Sequence, residues 1–487
     1  MILSWATAFR GGRMHGLALA LATAVVTGCA TAPPRVEPTE DFTTPSQWSA
    51  GTNEDSTAET DWWDEFKDTE LASAVLEALE HNHDIRAAAA RMDRAAATAK
   101  IVGADSLPQA QITGDGSRAA SNLTFLPNQQ GVQLNQFGVS LDITWEIDLW
   151  GRLRAGQSAA LGDWERSVAD YEAARLSIAG QTAKAWIAAI EAREQLELAE
   201  HTVASFETTA HHVRSRYERG VRPALDLRLA RTDVFGAQAL VDQRKEALDR
   251  SVRQLEILMG RYPDRALDVS TDMPGPVGHV PAGLPTELLQ RRPDLVAAER
   301  RLAASGARVK EARRALYPRI SLNGSYGDSS NKVSDVLDVD FNEWTLAGNL
   351  AQPIFQGGRL LAALDRSKAE QLEAAEDYAT ATLSAYAEVE SLLAAERYLA
   401  DRVDRQSLAA TESSAARDLA EQRYLRGLEE FVTVLAAQRT ELNAASELIA
   451  VRRARLESRI DLYLALGGGF DAALHFDAYA DSAESGS

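Results

Sequence analysis

The sequence predicts an α plus transmembrane β fold built on an internal duplication, and three observations carry that reading. Apolar and polar residues alternate strictly over two stretches in each half of the chain. Helical patterns run for roughly 65 residues without a proline, enough at ~1.5 Å per residue for rods of about 100 Å. The pentapeptide Arg216-Tyr217-Glu218-Arg219-Gly220 returns, nearly intact, as Arg423-Tyr424-Leu425-Arg426-Gly427.

The chain opens on a targeting segment. Arg10 and Arg13 precede an apolar run, Gly16 to Val26, too short to span a bilayer. The run ends in Val26-Thr27-Gly28-Cys29-Ala30, which resembles a bacterial lipobox. Residues 1–28 are therefore read as a signal peptide and Cys29 as the lipid-attachment residue. Ala30, rather than Asp, after that cysteine resembles lipoproteins sorted to the outer membrane. Cys29 is the single cysteine, so neither an internal disulfide framework nor a cysteine metal cluster is available. Residues 29–70 are rich in Pro, Ser and acid and predict an extended, solvated arm, closed by Trp62-Trp63, which docks it onto the body.

Repeat 1 spans residues 71–260. Helical spacing from Leu71 through Lys100 ends before Pro108. Ala110, Ile112 and Gly114 then alternate with Gln111, Thr113 and Asp115. After a loop at 121–135, Phe137, Val139, Leu141, Ile143 and Trp145 alternate with Gly138, Ser140, Asp142, Thr144 and Glu146. Period-two patterning of this kind predicts strands, of about 9–11 residues if they cross a bilayer. A helical pattern from Ala155 to Arg219 and another from Ala224 to Met259 flank the first pentapeptide. An Arg/Tyr last turn followed by Gly is a helix C-terminus, and Pro223 suits the start of the next helix. Each pentapeptide thus reads as the tip of a long helical hairpin, with Gly220 and Gly427 as its turn.

Residues 261–285 form a Pro/Gly-rich linker, and repeat 2 follows over 286–467. Its strands are Ile320 to Tyr326 and Trp344 to Leu350, and its rods Ala362 to Arg426 and Phe431 to Leu466. From the second strand on, equivalent residues are offset by about 207. Residues 468–487 are a Gly-rich, then acidic tail.

Composition excludes several classes. A net charge of −20 and a pI near 5.0 argue against nucleic acid as a partner. No run of ~20 apolar residues offers a transmembrane helix. No Ser/His/Asp spacing, phosphate loop or metal-ligand cluster is present, so the sequence predicts a protein that is not an enzyme and takes no cofactor beyond the lipid on Cys29. His81/His83 and His211/His212 read as surface histidines.

Four strands have open edges and cannot close alone. Two chains would give eight strands and no lumen; three give twelve and an open one. The prediction is therefore a homotrimer, its 12-stranded β-barrel continued by an α-helical barrel of coiled-coil hairpins, with a mixed α/β equatorial region between.

Lipobox, duplicated strand pair plus hairpin, Gly151-Arg152 and Gly358-Arg359 leaving the strands, and the R-Y-x-x-G tips together resemble the TolC family. Within it, residues 220–227 (GVRPALDL) and 423–438 (RYLRGLEEFVTVLAAQ) are similar to OprM/NodT-type outer-membrane efflux lipoproteins. The resemblance implies an outer-membrane barrel on a periplasmic α-barrel. It also implies a periplasmic adaptor protein and an inner-membrane, proton-driven pump as partners, and a passive exit for drugs or other small molecules. The same architecture also serves metal efflux and type I secretion, and a lipid-anchored periplasmic coiled-coil protein is the competing class. The resemblance places a gate at the tips. Asp226 matches a gate aspartate, with Arg222 four residues before it as its expected ion-pair partner. Tyr217 and Tyr424 are expected latches. In repeat 2 the family pattern departs: Thr433 and Ala436 stand at positions that carry acid in relatives. Glu429 and Glu430 would supply the charge instead, and Val432 an apolar constriction.

Overall fold

The computed structural model describes residues 31–34, 47–49, 61–121, 132–270, 272–275, 285–336 and 342–470. Cys29, the signal segment and residues 471–487 of the tail lie outside them. In chain order the elements are α1 (Thr69–His81), α2 (His83–Ala104), β1 (Gln109–Ser121), β2 (Val132–Ile147), α3 (Arg152–Glu218) and α4 (Ala224–Leu258). There follow α5 (Leu288–Arg291), α6 (Pro293–Arg314), β3 (Arg319–Ser330), β4 (Asn342–Ala351), α7 (Arg359–Leu425) and α8 (Phe431–Ala465). The duplication is exact in length along the hairpins: α3 and α7 both have 67 residues, and α4 and α8 both have 35.

Two compact units divide these elements. The first comprises Met1–Glu37, Asp93–Ser167 and Ala298–Tyr378 and contains the sheet. The order is a simple antiparallel meander, β1-β2-β3-β4. Register puts Ile112 opposite Leu141, Leu141 opposite Tyr326 and Tyr326 opposite Trp344. Because side chains alternate along a strand, one face is apolar across all four strands over their helix-proximal part, with Asp328, Asn342, Arg118 and Asn135 on it farther out. Ile112, Leu141, Ile143, Tyr326, Trp344, Leu346 and Leu350 lie on it and are exposed. The other face carries Thr113, Asp142, Thr144, Asn323, Ser325 and Thr345.

The strands are longer than expected, 13 and 16 residues for β1 and β2. Alternation fails in Gly116-Ser117-Arg118-Ala119-Ala120, so the local pattern is lost there. Pairing with β2 carries β1 to its end, and β2 begins inside the expected 121–135 loop.

The second unit comprises Pro38–Met92, Val168–Ala297 and Ala379–Ser487. Its core gathers Leu71, Trp186, Ile187, Ile190, Leu255, Ile460 and Tyr463. Small residues bring the rods together: a Cβ on Gly180 would lie 2.4 Å from Leu464 Cδ1. The expected docking of Trp62-Trp63 is seen. Trp62 is buried and stacks on Tyr463, ring centroids 5.5 Å apart. Two expectations are corrected here. The arm is not extended throughout, for Trp62–Phe66 form a 3-10 turn, and not solvated throughout, for Trp48 and Pro33 are buried. The helical segment from Leu71 is also broken, at Asn82, whose backbone is extended (ψ 132). The Asn82 carboxamide oxygen accepts from Asp84 N at 2.8 Å and Ile85 N at 3.3 Å and so caps α2, while its Nδ2 donates to Leu258 O.

Candidate functional site at the hairpin tips

Both tips are built by one device. In the first, Gly220 N–H donates to Tyr217 O at 2.8 Å and Val221 N–H to Arg216 O at 2.9 Å. In the second, Gly427 donates to Tyr424 O and Leu428 to Arg423 O, both at 2.9 Å. This double closure is a Schellman turn. It needs a left-handed residue at its C′ position, and Gly220 and Gly427 sit at φ +72 and +76. Pro223 and Glu430 then start α4 and α8 from extended backbone. The backbones are thus equivalent at an offset of 207.

Side chains break that equivalence. Val213 and Ala230 from the first hairpin pack with Ala420, Tyr424, Phe431, Val434 and Leu435 from the second. Tyr424 is 2% exposed, whereas Tyr217 is 42% exposed. Two cations explain why. Arg216 lies over the Tyr424 ring, 4.8 Å from its centroid, and Arg222 lies 5.2 Å from the same centroid. Arg216 also donates to Tyr424 O at 2.8 Å and to Leu425 O, closing the last carbonyls of α7 from the neighbouring hairpin. Arg222 donates to Glu429 O at 3.1 Å. Burial pushes the Tyr424 phenol above its usual pKa, the two arginines oppose that, and the nearby charge of Asp226 adds to it.

The expected Arg222–Asp226 ion pair is not formed. Arg222 is drawn across to the second tip, where a ring face and a carbonyl both attract it. Asp226 is nonetheless buried, 8% exposed, in the first turn of α4. In the second tip Glu429 accepts from Arg423 Nε at 3.3 Å and from the Thr433 hydroxyl at 3.2 Å. Glu430 is an exposed helix start with no side-chain capping bond. Val432 is exposed, as are Val221, Leu225 and Leu428.

Sequence reasoning missed three groups. Arg216 sits inside the repeated pentapeptide, where the sequence shows a helix-end cation able to tie hairpins but not its partners on the second tip. Gln438, 3% exposed, donates to Thr209 Oγ1 at 3.0 Å and to Glu421 Oε1 at 2.8 Å, joining the hairpins behind the tips. Arg439 pairs with Asp233 at 2.7 Å, again across hairpins. A polar residue on an otherwise apolar helix stripe was the available signal for Gln438. Between α3 and α7, Thr208, His212, Arg417, Glu421 and Tyr424 line a depression of about 380 Å³. Among the described residues no cluster of His, Cys, Asp and Glu could hold a metal ion, and no helix is long and apolar enough to cross a membrane.

A family model for outer membrane efflux proteins matches residues 74–261 and 284–468. The chain is similar to the pyoverdine export outer membrane protein OpmQ of Pseudomonas putida, 33% identical over 459 residues, covering 91% of this chain and 95% of that protein. It is also similar to the toluene efflux pump outer membrane protein TtgI of Pseudomonas putida, 32% identical over 420 residues, covering 84% of this chain and 87% of that one. In fold it matches the CmeC outer membrane channel of Campylobacter jejuni with a TM-score of 0.86 at 24% identity, over 93% of this chain and 98% of that chain. A sheet apolar on one face and polar on the other, joined to long helical hairpins, is the fold of an outer-membrane channel. The chain belongs to the outer membrane efflux protein family and is the outer-membrane component of an efflux system that extends into the periplasm.

Proposed function

We propose that three copies of this chain form a passive exit duct, opened and closed at the hairpin tips, for small molecules delivered by a periplasmic adaptor and a proton-driven inner-membrane pump. One observation carries the stoichiometry. β1 and β4 each have one partner strand among the described residues, and the apolar face between them is exposed. Unpaired strand edges are costly in hydrocarbon, so the sheet must be continued by other copies. With four strands per chain, three copies are the smallest number that leaves an open lumen. An acyl chain on Cys29 would add an anchor in the same membrane, and the duct needs no cofactor. Export of pyoverdine and of toluene by two relatives supports small, chemically diverse cargo.

At the tips, Arg216 and Arg222 tie the first hairpin to the second, and Asp226 holds buried negative charge beside them. Separating the hairpins breaks these ties together, which makes the tips a two-state element that partner contact can bias. Val432, Thr433, Glu430 and Tyr217 remain on the exposed surface and Glu429 is half-buried beside them, where they would face the axis or the adaptor. The test is purification in detergent followed by electrophoresis without boiling and planar-bilayer recording. A heat-dissociable trimer with discrete conductance steps is expected. A detergent-independent monomer without conductance overturns the proposal.

A further inference from the structure

The arm that follows Cys29 is clamped before it reaches the helices. Pro33 is buried, and its carbonyl accepts from Arg300 Nη1 at 3.0 Å. Arg300 is itself held by Glu165 at 3.0 Å and by both oxygens of Glu299 at 2.6 and 2.7 Å. Gly162 lets the proline ring lie against α3, since an added Cβ would meet Pro33 Cγ at 2.9 Å.

Beside the clamp lie two depressions that share Pro34 and Lys310. One, about 350 Å³, is lined by Trp150, Arg154, Lys310 and Arg314; the other, about 310 Å³, by Lys310, Arg313 and Gln371. Among the described residues no carboxylate lines either. Arg154 is engaged by Asp148. Arg314 donates to the Gly151 carbonyl at 2.7 Å and has no anionic partner among the described residues. Lys310 and Arg313 have no anionic partner among the described residues. On a chain of net charge −20, cations gathered without acids point to an anionic ligand. Depth is set by aromatics. Exposed Trp150 and Tyr317 pack at 5.5 Å, just beyond the helix-proximal ends of β2 and β3. Tryptophan and tyrosine at barrel ends mark the headgroup level of the bilayer.

We propose that this patch binds the phosphate headgroup of an anionic phospholipid in the periplasmic-side leaflet. Lys310 and Arg313 contact the phosphate, Arg314 adds charge behind them, and Trp150 lies against the glycerol region. The lipid fixes the strand-to-helix junction at the membrane surface. The inference rests on the barrel reading of the sheet and is independent of the tips, so lipid retention and conductance fail separately.

The experiment is native mass spectrometry of the full-length protein in detergent, titrated with phosphatidylglycerol, phosphatidylcholine or inorganic phosphate. Retention of about one phosphatidylglycerol per chain is expected, with little phosphatidylcholine. With each surface cation worth roughly a factor of five, K310Q/R313Q should weaken retention about 30-fold. K310R/R313K should restore most of it. Either single neutral variant, with a loss of about fivefold, carries the test if the double variant does not assemble. Equal retention by parent and neutral variants overturns the proposal, as does equal binding of phosphatidylcholine. Full displacement by millimolar phosphate also overturns it, in favour of a free-anion site.

Discussion

Replacing Arg216 with Ala removes the largest single tie between the two tips. The guanidinium makes two charge-assisted bonds to the last carbonyls of α7 and covers the Tyr424 ring at 4.8 Å. Hydrogen bonds to a charged group contribute roughly 1.5–3 kcal/mol, and a half-exposed cation–π contact about 0.5–1. Water recovers part of this, because Arg216 is half-buried. A net loss of about 3 kcal/mol is therefore an upper figure, worth roughly a hundredfold in the ratio of tied to separated tips. A tied state favoured ~99:1 would become about equally populated with the separated one. Single-channel recording in planar bilayers reads this directly, as a rise in open probability or mean conductance. Arg216→Lys keeps the charge but loses the second bond and should fall between. Arg216→Ala/Arg222→Ala should show non-additivity, since both arginines use one ring. Conductance identical to the parent in the double variant, with trimer assembly intact, refutes the tie as a gating element.

Tyr424→Phe should leave conductance and stability unchanged or slightly improved, because the ring does the packing and the buried hydroxyl has no hydrogen-bond partner among the described residues. Tyr424→Ala should lose about 3–4 kcal/mol locally and raise conductance, measured by the same recording alongside thermal melting. Asp226→Ala should raise conductance and antibiotic leak, and an unchanged conductance removes Asp226 from the gate. Tyr463 donates to Glu65, and burial, with that bond, pushes its phenol well above the usual 10.0. The folded-state pKa is raised, so its contribution is complete below pH 10 and declines as pH rises further and the unfolded phenol ionises. Tyr463→Phe should flatten the fall of Tm above pH 10; an unaltered slope counts against the assignment.

The rods were legible because a helix needs only periodicity and freedom from proline. The observed bounds Arg152–Glu218 and Phe431–Ala465 lie within three residues of the expected ones. β2 was legible for the same reason at period two, while the outer half of β1 was not, since glycine, serine and alanine carry no face. The break at Asn82 was hidden because the helical pattern continues on either side of it and the cap is a single side chain. Cross-hairpin bonds were hidden on different grounds. Nothing in a one-dimensional pattern says that Arg216 reaches residues about 208 positions away, or that Arg222 prefers that direction to Asp226 four positions on.

The last point follows from the duplication itself. Two copies of one backbone device, related by an offset of 207, would by default give two like tips. At that offset Arg222 corresponds to Glu429. The cation can lie on an aromatic face and bond a carbonyl of the neighbouring hairpin; the carboxylate can do neither, and it turns back to Arg423 in its own tip. Tyr424 is therefore held from two sides, and Tyr217, its counterpart, is left exposed. One exchange of sign thus converts a symmetric pair of turns into a donor tip and an acceptor tip. If that asymmetry is what lets one hairpin move while the other stays, moving the charge should move the latch. Arg222→Glu alone should free Tyr424 and raise conductance. Arg222→Glu/Glu429→Arg should restore a tie by offering the second tip's cation to Tyr217, seen as loss of Tyr217 accessibility to iodination. Failure of the double exchange to protect Tyr217 would show that the two tips differ in more than this pair.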